Sequence, residues 1–339
     1  MRKMRFGAMV VTVVLAVTAF VGAQRMAWIP GPWSKQKRFE ARTAETYTAA
    51  IAADPDNYMV YYRRGVTYKE HGQYEKALAD LNEAVRLSPE TLTAEQLGER
   101  AFNTRLTETH TMNLVVLARV ARGEVLQALN RPDEALMDFD KAITTDFRNL
   151  NVLYARGMLR AVTGHYDAAL ADFNALLDRR ASPDWLFGRG FASYLKGDWV
   201  AAAQDFQRLA TLSPANSNIL VWLTKAQLRS GNPILPAQRA VLTSHSEAAP
   251  IIDAYMADHD AHDFVAGVLA GASAAPGNKR QRQCETALFL GEWLTLHDDG
   301  KGARDMFVQA ETTCVPLSLE HATAAAELKR PTALVKAVQ

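Results

Sequence analysis

The stretch Tyr58–Pro89, YMVYYRRGVTYKEHGQYEKALADLNEAVRLSP, decides the fold. At helical spacing it reads as two short helices with a break between them. In the first, Tyr61, Gly65 and Tyr68 fall at i, i+4 and i+7 and share one face. His71-Gly72-Gln73 ends that helix, because glycine adopts the left-handed conformation of a helix end at little cost. In the second, Ala77, Leu81 and Ala84 share a face, and Ser88-Pro89 stops it. Neither helix carries an apolar stripe wide enough to stand alone. The small residues Gly65, Ala77 and Ala84 mark close helix approach, and such a hairpin is stable only when copies stack on it.

Copies follow. Gly123, Gly157 and Gly190 recur at spacings of 34 and 33 residues. Each precedes by twelve residues an Ala-x-x-x-Phe pair: Ala135 and Phe139, Ala169 and Phe173, Ala202 and Phe206. Gly291, Ala303 and Phe307 repeat the same offsets. Over roughly Tyr58 to Pro316 the chain thus resembles the tetratricopeptide repeat (TPR) family, whose 34-residue period carries a small residue, an alanine and an aromatic at fixed places. The resemblance implies an all-α, right-handed superhelix of helix–turn–helix units. It also implies that the first helix of each unit lines a concave binding face. The inward residues are then Tyr62 and Lys69, Glu124 and Gln127, Asn151 and Tyr154, Phe187, Phe191 and Tyr194, and Trp222, Lys225 and Arg229 in successive units. Aromatics dominate from Tyr154 to Trp222, with two cations at one end. That surface suits an extended peptide whose carboxylate meets Lys225 and Arg229.

The order along the chain is uneven. Residues 1–23 form a leader: Met1-Arg-Lys-Met-Arg5 is a basic flank, and Phe6–Ala23 is an uncharged, mostly apolar run of 18 residues. The run is long for a signal core and short for a spanning helix, about 27 Å at 1.5 Å per residue. A cleaved signal peptide and an uncleaved inner-membrane anchor are the two readings, and both export the body to the periplasm. Residues 24–36 are a linker and 37–57 a capping half-repeat. The array spans 58–231, with a helical insertion at 90–115 between Gly65 and Gly123. Residues 232–283 lose the repeat signal and read as irregular helices, and 284–339 hold the last repeat and a capping helix.

The net charge of +1 is smaller than the three leader cations Arg2, Lys3 and Arg5, so the body is slightly acidic and unsuited to general nucleic-acid binding. Cys284 and Cys314, the only cysteines, stand at the start of one helix and just past the end of its antiparallel partner. A TPR hairpin brings those places together, and an exported chain meets an oxidising compartment, so a disulfide is expected. The arginines before the repeat glycines (Arg64, Arg122, Arg156, Arg189) read as structural, each with an aliphatic stem packed between helices.

The succession of repeats, irregular insert, CETALFLGEWLTLHDDGKGARDMFVQAETTC and a terminal helix with HATAAAELKR resembles the bacterial NlpI-type TPR lipoproteins. The leader lacks their lipid-bearing cysteine. That resemblance implies a non-enzymatic periplasmic adaptor without cofactor, whose partners are envelope proteases or cell-wall hydrolases; a second copy of the chain is a further partner to consider. Two alternatives stand beside it. One is an assembly factor for secretion or outer-membrane machinery. The other is a metal-dependent hydrolase using His259 and His262, two imidazoles three residues apart flanked by Asp260 and Asp263. No phosphate loop, zinc-protease helix or nucleophile elbow is present.

Overall fold

The computed structural model describes residues 40–88, 108–146, 149–213, 216–232, 255, 261–274 and 278–330. The leader, the linker, His259 and most of the insertion and irregular segment lie outside these residues. Among the described residues every element is an α-helix, in helix–turn–helix order. They are α1 (Glu40–Ala53), α2 (Tyr58–Glu70), α3 (Tyr74–Arg86), α4 (Glu108–Ala128), α5 (Pro132–Thr145), α6 (Leu150–Val162) and α7 (Tyr166–Leu177). Then come α8 (Pro183–Lys196), α9 (Trp199–Leu212), α10 (Ser217–Arg229), α11 (Ala261–Ala274), α12 (Lys279–Leu296), α13 (Gly300–Thr313) and α14 (Leu319–Leu328). None of the described helices is long and apolar enough to cross a membrane. The chain divides into two compact units, residues 31–159 and residues 1–30 with 160–339.

The hairpin turn is built the same way each time. Gly72, Gly164, Gly197 and Gly231 all take positive φ between 69° and 95°. Asn130 and Asp298 do the same work at 57° and 60°, as short polar side chains can. Each stands seven residues after the small position of its first helix. In the fifth unit that rule puts Thr224 where the others have glycine, and Thr224 is buried with its hydroxyl on the Leu220 carbonyl. At Gly72 the chain reverses with Gln73 N–H donating to the Tyr68 carbonyl at 2.9 Å, which ends α2 and sets the entry of α3.

Small residues set the spacing within the hairpins. A Cβ on Gly65 would lie 2.8 Å from Leu81 Cγ, and one on Gly123 or Gly291 would lie 2.6 Å from the ring of Phe139 or Phe307. The facing positions Ala77, Leu81, Ala84, Ala135, Phe139, Ala169, Phe173, Ala202 and Phe206 are wholly buried. At Gly123, Gly190 and Gly291 the pattern is a ring laid across a missing side chain, and Leu81 takes the place of the ring at Gly65.

The repeat arginines do more than pack. Arg64 grips Asp80 with Nε and Nη2, both at 2.7 Å. Arg122 grips Asp138 at 2.7 and 2.6 Å, and Arg189 grips Asp205 at 2.8 and 2.7 Å, each pair sixteen residues apart. These forks tie the first helix of a hairpin to the second, and the aspartates are buried. In the third unit Arg156 also donates to Asp140, and Asp172 accepts from Arg160.

In the unit of residues 160–339, α12 is buried along most of its length, packed on α11, α13 and α14, while α14 also packs on α8. The Sγ atoms of Cys284 and Cys314 lie at bonding distance, with Cα atoms 4.8 Å apart. At the basic entrance to α12, Lys279 and Arg280 are exposed and Arg282 turns inward. Arg282 is buried, with Nε on the Ala272 carbonyl at 3.1 Å, and Arg280 reaches the Thr313 carbonyl at 2.9 Å.

Candidate functional site

The twelve residues assigned to the inner face divide into two groups. Six lie in the unit of residues 31–159 and keep contact with solvent: Tyr62, Lys69, Glu124, Gln127, Asn151 and Tyr154. Lys69 on α2 and Glu124 on α4 face each other at 2.5 Å with side chains 26% and 45% exposed, an ion pair worth about 0.2–1 kcal/mol. Such a pair opens readily for a ligand. Tyr62 lies against Ala84, Val85 and Ala118 with its hydroxyl near the two acids; burial, then the charges of Glu124 and Glu70, push its phenol up.

The six in residues 160–339 differ. Phe191, Tyr194, Trp222 and Lys225 are buried, Arg229 is nearly so, and Phe187 is half-buried. They form an aromatic cluster: Trp222 stands edge-on to Phe191 at 5.4 Å and to Tyr194 at 5.3 Å, and Phe187 stacks on Phe191 at 6.2 Å. As an open groove, this half of the sequence reading is corrected. The physical reason is that the chain supplies its own occupant. The carboxylates that meet the two cations are Glu292 of α12, 2.7 Å from Lys225 Nζ, and Glu327 of α14, 3.1 Å from Arg229 Nη2. Lys225 also rests 4.1 Å over the Trp222 ring.

Glu292 is the hub. Besides Lys225, it accepts from the Tyr194 hydroxyl at 3.3 Å and the Tyr255 hydroxyl at 2.7 Å. Arg330 closes the far end, donating Nη2 to the carbonyls of Tyr194 and Leu195 at 2.9 and 2.8 Å, at the last turn of α8. Sequence reasoning missed Glu292, Glu327, Tyr255 and Arg330. One signal was available: Glu292 is the sole charge between Thr286 and Leu296, and an acid inside an apolar helix needs a buried partner.

Burial foremost, then the Glu292 charge, raises the phenols of Tyr194 and Tyr255 well above their usual range. The buried Arg330 guanidinium, beside Arg229, is pushed down to about 10. Above pH ~10 the unfolded chain has released both phenolic protons while the folded chain keeps them, so stability falls as pH rises. Arg330 works in the opposite sense, but the raised phenols of Tyr62 and Tyr166 add to the fall. Urea midpoints measured from pH 9 to 11.5 check this, and Tyr255→Phe should flatten the fall.

His259 and the side chain of His262 lie outside the described residues. Among the described residues no group of three or more His, Cys, Asp or Glu is placed to hold a metal ion.

Family models for the tetratricopeptide repeat match residues 46–79 and 154–217. Over those residues the chain carries tetratricopeptide repeats. Tetratricopeptide repeat protein 6 of Homo sapiens is 26% identical over 174 residues, 50% of this chain and 29% of that protein. DnaJ homolog subfamily C member 3 of Homo sapiens is 30% identical over 100 residues, 30% of this chain and 15% of that protein. The chain therefore spans less than a third of the length of these curated relatives. Among solved structures, a tetratricopeptide repeat protein from Parabacteroides merdae is similar at 14% identity, covering 84% of this chain and 91% of that one, with a TM-score of 0.47. A tetratricopeptide scaffold of this kind is suited to protein–protein interaction.

Proposed function

We propose that this tetratricopeptide chain is an exported, non-enzymatic adaptor that holds a partner protein or extended peptide on residues 31–159. The contact residues are Tyr62, Lys69, Glu124, Gln127, Asn151 and Tyr154. One observation carries the reading: these six keep solvent contact, while Phe191, Tyr194, Trp222 and Lys225 are buried and the charges of Lys225 and Arg229 are met by Glu292 and Glu327 of α12 and α14. An inner face filled by the chain's own side chains has nothing left to offer, so binding falls to the open one. Aromatic rings supply contact area there, and the exposed Lys69–Glu124 pair offers both a donor and an acceptor to a peptide backbone.

Export rests on the basic flank and the apolar run of residues 6–23, with the periplasm as destination. The partner class, envelope proteases or cell-wall hydrolases, rests on the likeness of the C-terminal repeat to NlpI-type proteins.

The test uses a partner identified by crosslinking in the native envelope and then purified. Tyr62→Ala with Tyr154→Ala should weaken its affinity at least tenfold, since aromatic anchors contribute about 1–2 kcal/mol or more each. Met137→Ala, on the exposed side of α5, should leave affinity unchanged. Undiminished affinity in the double variant, with its helicity intact, contradicts the proposal.

A further inference from the structure

Among the described residues, the cluster of Lys225, Arg229, Arg330, Glu292 and Glu327 holds three cations against two carboxylates. Lys225 and Glu292 neutralise one another. Beside them Arg229 and Arg330 share one carboxylate: Glu327 Oε2 accepts from Arg229 Nη2, and its Oε1 from Arg330 Nη1. Both guanidiniums are largely out of solvent, with side chains 8% and 16% exposed. Even pushed down to about 10, Arg330 stays charged at neutral pH, so among the described residues of this cluster one positive charge is left over in a poorly hydrated place.

Unused donors belong to the same side chains. Arg229 and Arg330 both lie over the Trp199 ring, their guanidinium carbons 4.4 and 5.3 Å from its centre. Two buried N–H groups there have no acceptor, Nη1 of Arg229 and Nε1 of Trp199. A buried donor without a partner is costly, and an uncompensated buried charge more so. Arginine and indole offer donors only, and both Glu327 oxygens are engaged. A water molecule would accept from the two donors, but it would leave the charge and bring protons of its own to place. A single negative charge meets both needs, whereas a dianion would over-neutralise the cluster.

We infer that Arg229, Arg330 and Trp199 form a binding site for a small inorganic monoanion of the chloride class. Its occupancy ties α10 to α14 through the two guanidiniums and so supports the packing that fills this half of the inner face. The site is independent of the partner surface on residues 31–159.

Full-length protein is unfolded with urea in sodium chloride and in sodium gluconate at matched ionic strength. The midpoint should rise with chloride along a saturable curve. Trp199→Phe keeps a ring beneath the guanidiniums and removes only the indole donor. It should raise the half-saturating chloride concentration about tenfold, the loss expected for one hydrogen bond to a charged partner. Crystals grown in sodium bromide should give an anomalous peak beside Arg229 Nη1 and Trp199 Nε1. No bromide peak there, equal midpoints in chloride and gluconate, or an unchanged half-saturating concentration in Trp199→Phe overturns the inference. Should Trp199→Phe fail to fold, the bromide peak and the salt comparison on the unaltered protein decide it.

Discussion

Glu292→Ala should cost the unit of residues 160–339 about 3–5 kcal/mol, the range for removing one partner of a buried ion pair. The substitution strands the Lys225 ammonium in an aromatic shell and leaves the Tyr194 and Tyr255 hydroxyls without their acceptor. Desolvation of the abandoned charge outweighs the small volume lost, because Lys225 is itself buried and cannot turn to water without opening the cluster. Replacing both members tests that cause. Glu292→Leu with Lys225→Met removes the stranded charge and should recover much of the loss, as buried pairs exchanged for apolar residues often do. Urea unfolding reads both. A Glu292→Ala cost below about 1 kcal/mol would mean a solvated pair and would sink the account of this network.

The second large effect is expected at Cys284 and Cys314. Closing a loop with 30 residues of separation restricts the unfolded chain by roughly 3–4 kcal/mol in the chain-entropy picture. Cys284→Ser with Cys314→Ser should lower stability by that amount relative to protein prepared without reductant, and dithiothreitol should produce the same shift in the unaltered chain. The bond would pin the start of α12 to the end of α13, and α12 carries Glu292. Reduction should therefore also loosen the network around Lys225. Thiol titration of unreduced, denatured protein from the exported fraction gives the direct reading: no reactive thiol is expected, and two would contradict it.

Local pattern carried the hairpins, and long-range pairing escaped it. Gly123, Ala135 and Phe139 announce themselves because ring, missing side chain and small neighbour lie within one repeat, where a fixed offset is visible. The arginine forks were half visible. Arg64, Arg122 and Arg189 stood out, but Asp80, Asp138 and Asp205, each three residues after the repeat alanine, were not recognised as their partners. Which half of the inner face stays open was not legible at all. Arg229 meets Glu327 across 98 residues, and nothing in the period of α10 says that α14 will return to it. The same aromatic and cationic residues read as a ligand surface or as a core, depending on what packs against them. Lys225 and Arg229 read as partners for a peptide carboxylate, whereas the carboxylates they meet in the structure belong to the chain itself.

Solvent access at the inner face is the most direct test of the central claim, and it needs no partner. Hydroxyl-radical footprinting of the full-length protein compares chemically identical rings, so intrinsic reactivity cancels. Tyr62 and Tyr154 should be oxidised readily, while Tyr194, one helix face in residues 160–339, stays protected along with Trp222. Oxidation of Tyr194 at the rate of Tyr62 in folded protein would show an open second half and contradict the division on which the account rests.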